Sequence, residues 1–169
     1  GWKYLSGKAL KRLKKTDVLI ADDFIEFISS TNKTLADDEI QQIFDTVRLV
    51  GSESDFETLH KVYNWLVDGI QFTPNDGLPQ MIKLIDFEHP ERNIFRLVNQ
   101  LEIEYTSQGQ KTSRIPDVLL YINGIPLCIT ELKNPTDPRA TIYDAWEQIN
   151  IRYWRDIPHL LHYCPLACI

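Results

Sequence analysis

The first part of the chain carries apolar residues at the spacing of amphipathic helices. The clearest case lies between residues 36 and 50, where four apolar side chains fall three and four positions apart: Ile40, Ile43, Phe44 and Val47. The same pattern predicts three helices, over residues 17–28, 36–50 and 55–67. Thr16 or Asp17 would cap the first helix and Thr34 the second. All three helices are expected to supply packing rather than chemistry.

After Gly69 the apolar runs become short and are separated by turn residues, which is typical of strands. These runs lie at 70–73, 81–86 and 94–105, with turn signals at 74–77 and 89–91. Two more runs, at 117–122 and 125–132, flank an Asn-Gly pair, the strongest short signal for a hairpin. A helix from Pro138 or Thr141 to Trp154 and a strand over 160–169 would complete the chain. This order predicts an α/β fold, a mixed sheet flanked by helices after an N-terminal helical portion.

Composition and charge narrow the class of protein. A chain of 169 residues, 43% hydrophobic and 25% charged, fits one ordinary globular domain and excludes disordered or fibrous classes. Its apolar runs are far shorter than the ~20 residues of a membrane span, so no membrane partner is expected. Three cysteines favour a reducing compartment, and we expect a cytoplasmic location. The net charge of -6 has the wrong sign for holding nucleic acid by bulk electrostatics alone.

The candidate chemistry lies around the Asn-Gly hairpin. Glu131 and Lys133 end its second strand and, being two residues apart, are expected on one face. If Asp117 on the neighbouring strand shares that face, two carboxylates converge in the oxygen environment that Mg²⁺ or Mn²⁺ prefers. The Lys133 ammonium would then orient, or help to deprotonate, a water that attacks a phosphodiester. The alternative is that all three are surface charges of a non-catalytic scaffold or interaction domain.

The length of the hairpin loop decides whether Asp117 can join this group. A two-residue loop at positions 123–124 would place Asp117 opposite position 130 and turn it away from Glu131. A three-residue loop at positions 122–124 would place Asp117 opposite position 129, on the face of Glu131. We therefore predict the three-residue loop.

Three motifs follow one another here: Arg114-Ile115-Pro116-Asp117, the hairpin from Tyr121 to Leu127, and Ile129-Thr130-Glu131-Leu132-Lys133-Asn134-Pro135. With runs at 84–87, 90–95, 98–100 and 156–158, they resemble the PD-(D/E)XK nuclease module at the N-terminus of type I restriction enzyme R subunits. The resemblance implies one restriction-endonuclease-like domain over 1–169, with a helical portion to about residue 68 and a catalytic core from about residue 69. It also implies double-stranded DNA as substrate, and modification and specificity subunits as partners. Another nuclease of this type, a repair nuclease or junction resolvase, is the alternative.

The same resemblance assigns roles to individual residues. Asp117 and Glu131 would hold the divalent metal together with the backbone carbonyl of Leu132, and Lys133 would be the catalytic lysine. A helical glutamate of related nucleases is expected upstream of Gly1, and an ATP-dependent translocase beyond Ile169. ATP would therefore bind only to the parent protein, because no phosphate-binding loop motif occurs in this sequence.

The family also carries a glutamine and a tyrosine, normally as Q-x3-Y, on the helix after the lysine. They are placed to assist the site and contact DNA. In this sequence the matching residues are Gln148 and Tyr153, with one extra residue between them. On an α-helix, the extra residue rotates Tyr153 by about a further 100° relative to Gln148. Both side chains can therefore face the site only if the helix bulges or ends between them.

Overall fold

A computed structural model describes residues 1–51, 54–75, 77–133 and 141–169. The strands are β1 (Lys3–Ser6), β2 (Ile70–Phe72), β3 (Gln80–Ile82), β4 (Phe95–Asn99), β5 (Ile103–Ser107), β6 (Gln110–Arg114), β7 (Val118–Ile122), β8 (Ile125–Thr130) and β9 (Leu166–Cys168). The helices are α1 (Ala21–Thr31), α2 (Asp37–Arg48), α3 (Asp55–Asp68), α4 (Ile142–Glu147), α5 (Trp154–Asp156) and α6 (Pro158–Leu161). A 3-10 helix covers Pro90–Arg92, and a π-helical turn, here the π segment, covers Gln148–Tyr153.

The described strands build a mixed central sheet in the order β1-β4-β7-β8-β9. Its middle strands are antiparallel, whereas β1 runs parallel to β4 and β9 runs parallel to β8. Two separate hairpins, β2–β3 and β5–β6, lie outside this sheet. The predicted α/β class with a mixed sheet and helices is thereby confirmed. Strand β1 belongs to the sheet although it lies in the portion predicted to be helical.

One buried apolar cluster joins the N-terminal helices to the sheet. It contains Phe24 and Ile43 from the helices and Leu119, Tyr121 and Ile129 from the hairpin strands. The side chains of the sheet that face α1 and α2 are therefore part of the core. Within the described ranges, no helix has both the length and the apolar character needed to cross a membrane.

Helix α1 begins at Ala21, four residues later than predicted, and neither Thr16 nor Asp17 caps it. The segment before α1, residues 17–20, forms hydrogen bonds with the β7–β8 hairpin instead. The backbone N–H of Ile20 donates to the carbonyl of Gly124 at 2.9 Å, and the Tyr121 hydroxyl donates to the Val18 carbonyl at 2.9 Å. These contacts with the hairpin keep the segment out of the helix, so tertiary structure overrides its local pattern.

Helix α2 covers most of its predicted range, and α3 agrees with its prediction to within a residue. The residue before α2 is Ala36 rather than Thr34, so the predicted cap was wrong. The Glu39 carboxylate accepts the backbone N–H of Ala36 at 2.9 Å and that of Asn75 at 2.7 Å. A side chain in the first turn of α2, rather than Thr34, therefore accepts a backbone N–H at this end of the helix.

Three strand predictions need correction. The run at 81–86 forms a strand only up to Ile82, the last residue of β3. The run at 94–105 divides into β4 and β5 because Gln100 adopts a positive φ of 51°. The predicted strand at 160–169 starts as helix α6, with Pro158 in its first turn, where a missing N–H costs no hydrogen bond.

Some predicted features lie outside the described residues: Asp76 of the turn at 74–77, Asn134 and Pro135 of the motif run, and Pro138 as a helix start. Thr141, the other predicted start, caps α4.

Candidate active site

The hairpin between β7 and β8 has a two-residue loop, so the predicted three-residue loop was wrong. Ile122 pairs with Ile125, and Asn123 and Gly124 have φ values of 51° and 77°. A type I′ turn requires positive φ at both of these positions. Asn123 is fully buried, and its side-chain oxygen accepts the backbone N–H of Ile94 at 2.8 Å. This contact fixes Asn123 inside the turn, which the sequence alone did not reveal.

A bulge in β8 nevertheless brings the two carboxylates to the same face. The register steps from Tyr121–Pro126 to Leu120–Cys128, which leaves Leu127 as an extra residue. Each pair beyond the bulge is displaced by one position. Extending the register by one residue places Asp117 opposite Glu131, on the same face of the sheet. The expected convergence is therefore present, but it arises from the bulge and not from the loop.

Backbone contacts fix the two carboxylate residues beyond the ends of their strands. Asp117 directly precedes β7, and its Oδ2 accepts the backbone N–H of Leu132 at 2.9 Å. Glu131 directly follows β8, and its own N–H donates to the carbonyl of Cys168 in β9 at 3.1 Å. Residues of the strands on either side of β8, Asp117 next to β7 and Cys168 in β9, therefore fix the backbone at Glu131 and Leu132.

The Glu131 carboxylate is buried, with an exposed fraction of 1%. Its Oε1 accepts the Tyr153 hydroxyl at 2.6 Å, and its Oε2 accepts the Gln148 amide at 2.7 Å. Burial is the main cause that raises the pKa of Glu131 to about 7, and the negative charge of Asp117 acts in the same direction. The Tyr153 hydroxyl and the Lys133 ammonium lower this pKa and only partly offset the effect of burial.

The π segment places Gln148 and Tyr153 on the same side of their helix. A π-helix bonds residues five apart, so two residues at this spacing share a face. The Gln148 amide donates to the Tyr153 hydroxyl oxygen at 2.7 Å as well as to Glu131. The helix thus has the bulge that the sequence required if both side chains were to reach the site.

Lys133 joins this group through Gln148. Its ammonium donates to Gln148 Oε1 at 3.1 Å, so the one glutamine side chain contacts Lys133, Glu131 and Tyr153. The structure therefore places the five predicted side chains, Asp117, Glu131, Lys133, Gln148 and Tyr153, at one end of the sheet.

The donor set fits a hard divalent cation. A buried Glu131 beside Asp117 is electrostatically costly, and a cation held between them would offset this repulsion. In the described part of the chain, no three His, Cys, Asp or Glu side chains converge closely enough to hold a metal. Mg²⁺ accepts such a site, because one or two carboxylates usually bind it and oxygen donors from water or phosphate complete its coordination. The backbone carbonyl of Leu132 stays a predicted ligand.

The entire chain, residues 1–169, matches the family described as "Type I restriction enzyme R protein N terminus". The chain belongs to this family. It is 32% identical over 177 residues to the type I restriction enzyme HindI endonuclease subunit of Haemophilus influenzae, an alignment that covers 96% of this chain. It is 30% identical over 178 residues to the putative type I restriction enzyme MjaIXP endonuclease subunit of Methanocaldococcus jannaschii, with 100% of this chain covered. The chain spans only 16% and 17% of the length of these two relatives.

One residue of this R-protein N-terminal region was missed by the sequence analysis. The Gln100 amide donates to Asp117 Oδ1 at 2.9 Å, and the Gln100 backbone N–H donates to the Asp117 carbonyl at 3.0 Å. Gln100 lies in the run at 98–100 that contributed to the resemblance, but nothing in its spacing indicated a contact with Asp117. The register of β4 against β7 would have been needed to find it.

Proposed function

We propose that this region is a metal-dependent DNA endonuclease domain of the PD-(D/E)XK type, which hydrolyses phosphodiester bonds as part of a type I R protein. One observation carries the proposal: a continuous hydrogen-bond network joins Lys133, Gln148, Glu131 and Tyr153 beside Asp117. Independent surface charges would not bury a glutamate to 1% exposure and supply hydrogen-bond donors to both of its oxygens. This burial argues against the scaffold alternative.

In the proposed mechanism, Asp117, Glu131 and the Leu132 carbonyl would hold Mg²⁺ or Mn²⁺. When bound, the ion supplies positive charge that offsets the negative charge developing on the scissile phosphate. Glu131 stays correctly oriented because Tyr153 and Gln148 fix both of its oxygens. Lys133 uses its remaining N–H groups to orient the attacking water and a phosphate oxygen. Gln148 links the metal-binding carboxylate to the lysine, so one helix positions both groups.

The chain's negative charge fits a nuclease that other parts of a complex bring to DNA. At a net charge of -6, bulk electrostatics would repel a duplex. We therefore infer that double-stranded DNA reaches the site by ATP-driven translocation in the parent protein, together with modification and specificity subunits, in the cytoplasm. A repair nuclease or junction resolvase is disfavoured because the whole chain matches the R-protein family.

The test is cleavage of plasmid DNA by the complete R protein with its partner subunits, Mg²⁺ and ATP. Lys133→Ala should abolish nicking and leave ATP hydrolysis intact. Lys33→Ala, which removes an exposed lysine before α2, is the matched control and should cut like wild type. If Lys133→Ala cuts as well as wild type, Lys133 is not catalytic and the scaffold alternative becomes the better explanation.

A further inference from the structure

We infer that Gln100 is a positioning residue that orients the Asp117 carboxylate towards the divalent ion. This inference rests on the proposed function, and it adds a residue for which the motif assigns no role. Gln100 directly follows β4. Because β7 lies between β4 and β8 in the sheet, Asp117 has Gln100 on one side and Glu131 on the other.

The register of the sheet places the three residues in one row. Strand β4 pairs with β7 up to Asn99–Val118, and the next position pairs Gln100 with Asp117. The 3.0 Å hydrogen bond from the Gln100 N–H to the Asp117 carbonyl continues this ladder. Asp117 lies opposite Glu131 on its other side. The row therefore runs from Gln100 through Asp117 to Glu131 across three neighbouring strands.

Both oxygens of Asp117 have an identified donor. Gln100 Nε2 donates to Oδ1 at 2.9 Å, and the Leu132 N–H donates to Oδ2 at 2.9 Å. Each oxygen has a second lone pair, so the carboxylate is fixed in orientation and can still bind a cation. A neutral amide suits this role better than lysine or arginine, because it orients the carboxylate without cancelling its negative charge.

The backbone of Gln100 is held in an unfavourable conformation. Its φ of 51° lies in the left-handed region that glutamine rarely adopts, and such outliers cluster at functional sites. Gly7 packs against this position so closely that an added Cβ would lie 2.5 Å from the Gln100 carbonyl oxygen. The Gln100 side chain is exposed, so its hydrogen bond to Asp117 contributes little to folding. This conformation places the amide within 2.9 Å of Asp117 Oδ1.

The chain supplies a matched control for this strain. Gln108, in the turn between β5 and β6, has a φ of 50° and an exposed side chain, but it lies in a hairpin outside the central sheet. Gln100→Ala and Gln108→Ala therefore remove the same amide from the same backbone conformation. Gln100→Gly removes the amide and also relieves the strain, because glycine adopts positive φ freely.

The experiment is a Mn²⁺ titration of the complete R protein without ATP, with free Mn²⁺ measured by electron paramagnetic resonance. Loss of an outer hydrogen-bond partner of a metal ligand typically weakens metal binding 10–100-fold, so both Gln100 variants should raise the Kd about tenfold. Gln108→Ala should bind like wild type. Wild-type affinity in Gln100→Gly would overturn the inference, since the amide would then be irrelevant. Wild-type affinity in Asp117→Asn would remove the proposed metal site itself, and the role of Gln100 with it.

The Mg²⁺ dependence of cleavage by the complete R protein with its partner subunits is a second measurement. It would not change if Gln100 had a purely structural role. In Gln100→Gly, the Mg²⁺ concentration for half-maximal cleavage should rise about tenfold, with the rate recovering at saturating Mg²⁺. Lys133→Ala should not recover at any Mg²⁺ concentration, because the ion cannot replace the lysine. A Gln100→Gly rate that stays low at saturating Mg²⁺ would contradict a role limited to metal positioning.

Discussion

Gln148 donates a hydrogen bond to the hydroxyl oxygen of Tyr153, five residues later in the chain, at 2.7 Å. On a regular α-helix these two side chains would point about 140° apart, because each residue advances about 100° around the axis. The π segment between them removes this difference, and both residues reach Glu131. The bulge therefore compensates for the extra residue in the motif.

Deleting the exposed Asn150 should keep the site, because the shortened segment can form a regular α-helix with the two side chains four residues apart on one face. Inserting an alanine after Asn150 should instead turn Tyr153 away from Glu131. We expect the insertion to weaken Mn²⁺ binding at least tenfold and the deletion to leave it nearly unchanged. Equal losses in both variants would contradict the proposed compensation.

Tyr153→Phe should weaken the site by leaving Glu131 Oε1 without its 2.6 Å hydrogen bond. Because the acceptor is buried, we expect a loss of about 1–3 kcal/mol in the free energy of unfolding, measured in urea. DNA cleavage by the complete R protein should fall about tenfold. Tyr163→Phe is the matched control: this buried hydroxyl donates to the Val47 carbonyl at 2.6 Å, so its loss should lower stability without slowing cleavage.

The hydrophobic pattern predicted the α/β class and the two helices α2 and α3, because these features depend on local spacing and capping. The carboxylates and the lysine could also be predicted, since they lie at the same end of the two strands of one hairpin. Asp117 and Glu131 do share a face as predicted, but the prediction relied on a three-residue loop, whereas the hairpin has a two-residue loop and a bulge. The bulge at Leu127 directly follows Pro126, and a proline inside a strand is typical of a bulge, so this local signal was overlooked.

The contribution of Gln100 could not be predicted. It depends on β4 pairing with β7, two strands separated by the β5–β6 hairpin in the sequence. The start of α1 also depends on distant contacts, because Ile20 bonds to Gly124 more than a hundred residues later. Local patterns therefore identified the chemical groups of the site, whereas long-range pairing decides how they are oriented.

The ion pair between Asp23 and Arg96 should be among the largest single contributions to keeping α1 on the sheet. Arg96 donates to both Asp23 oxygens at 2.7 Å, and the aspartate side chain is only 5% exposed. Arg96→Met would leave a buried unpaired carboxylate and should lower the free energy of unfolding in urea by roughly 3–5 kcal/mol.

Two controls separate the cost of burying Asp23 from other effects of the change. The double variant Asp23→Leu with Arg96→Met should recover most of the stability, because no unpaired charge stays buried. Arg48→Met breaks the exposed pair with Asp45, at 3.2 Å, and should cost less than about 1 kcal/mol. A double variant as unstable as Arg96→Met would show that packing, rather than the unpaired charge, causes the loss.

Asp156 should make the stability of the chain depend on pH below about pH 4. Its carboxylate accepts hydrogen bonds from Arg155 at 2.8 Å and from Arg114 at 2.7 Å, and its side chain is 6% exposed. Hydrogen bonding from Arg155 is the main cause that holds the pKa of Asp156 well below its usual range; Arg114 and the Tyr105 hydroxyl act in the same direction, and burial opposes them. Above the ordinary value of about 3.9 the carboxylate is ionised in both states, so its contribution is complete.

As the pH falls below that value, the unfolded chain binds a proton at Asp156 before the folded chain does, and the stability due to this group declines. Urea unfolding between pH 6 and pH 2.5 should therefore show a smaller loss for Asp156→Asn than for wild type, from a lower starting stability at pH 6. Asp68→Asn, which changes an exposed carboxylate at the end of α3, should follow the wild-type curve. If Asp156→Asn loses as much stability as wild type between pH 4 and pH 2.5, the arginine contacts do not stabilise the ionised carboxylate in the folded state.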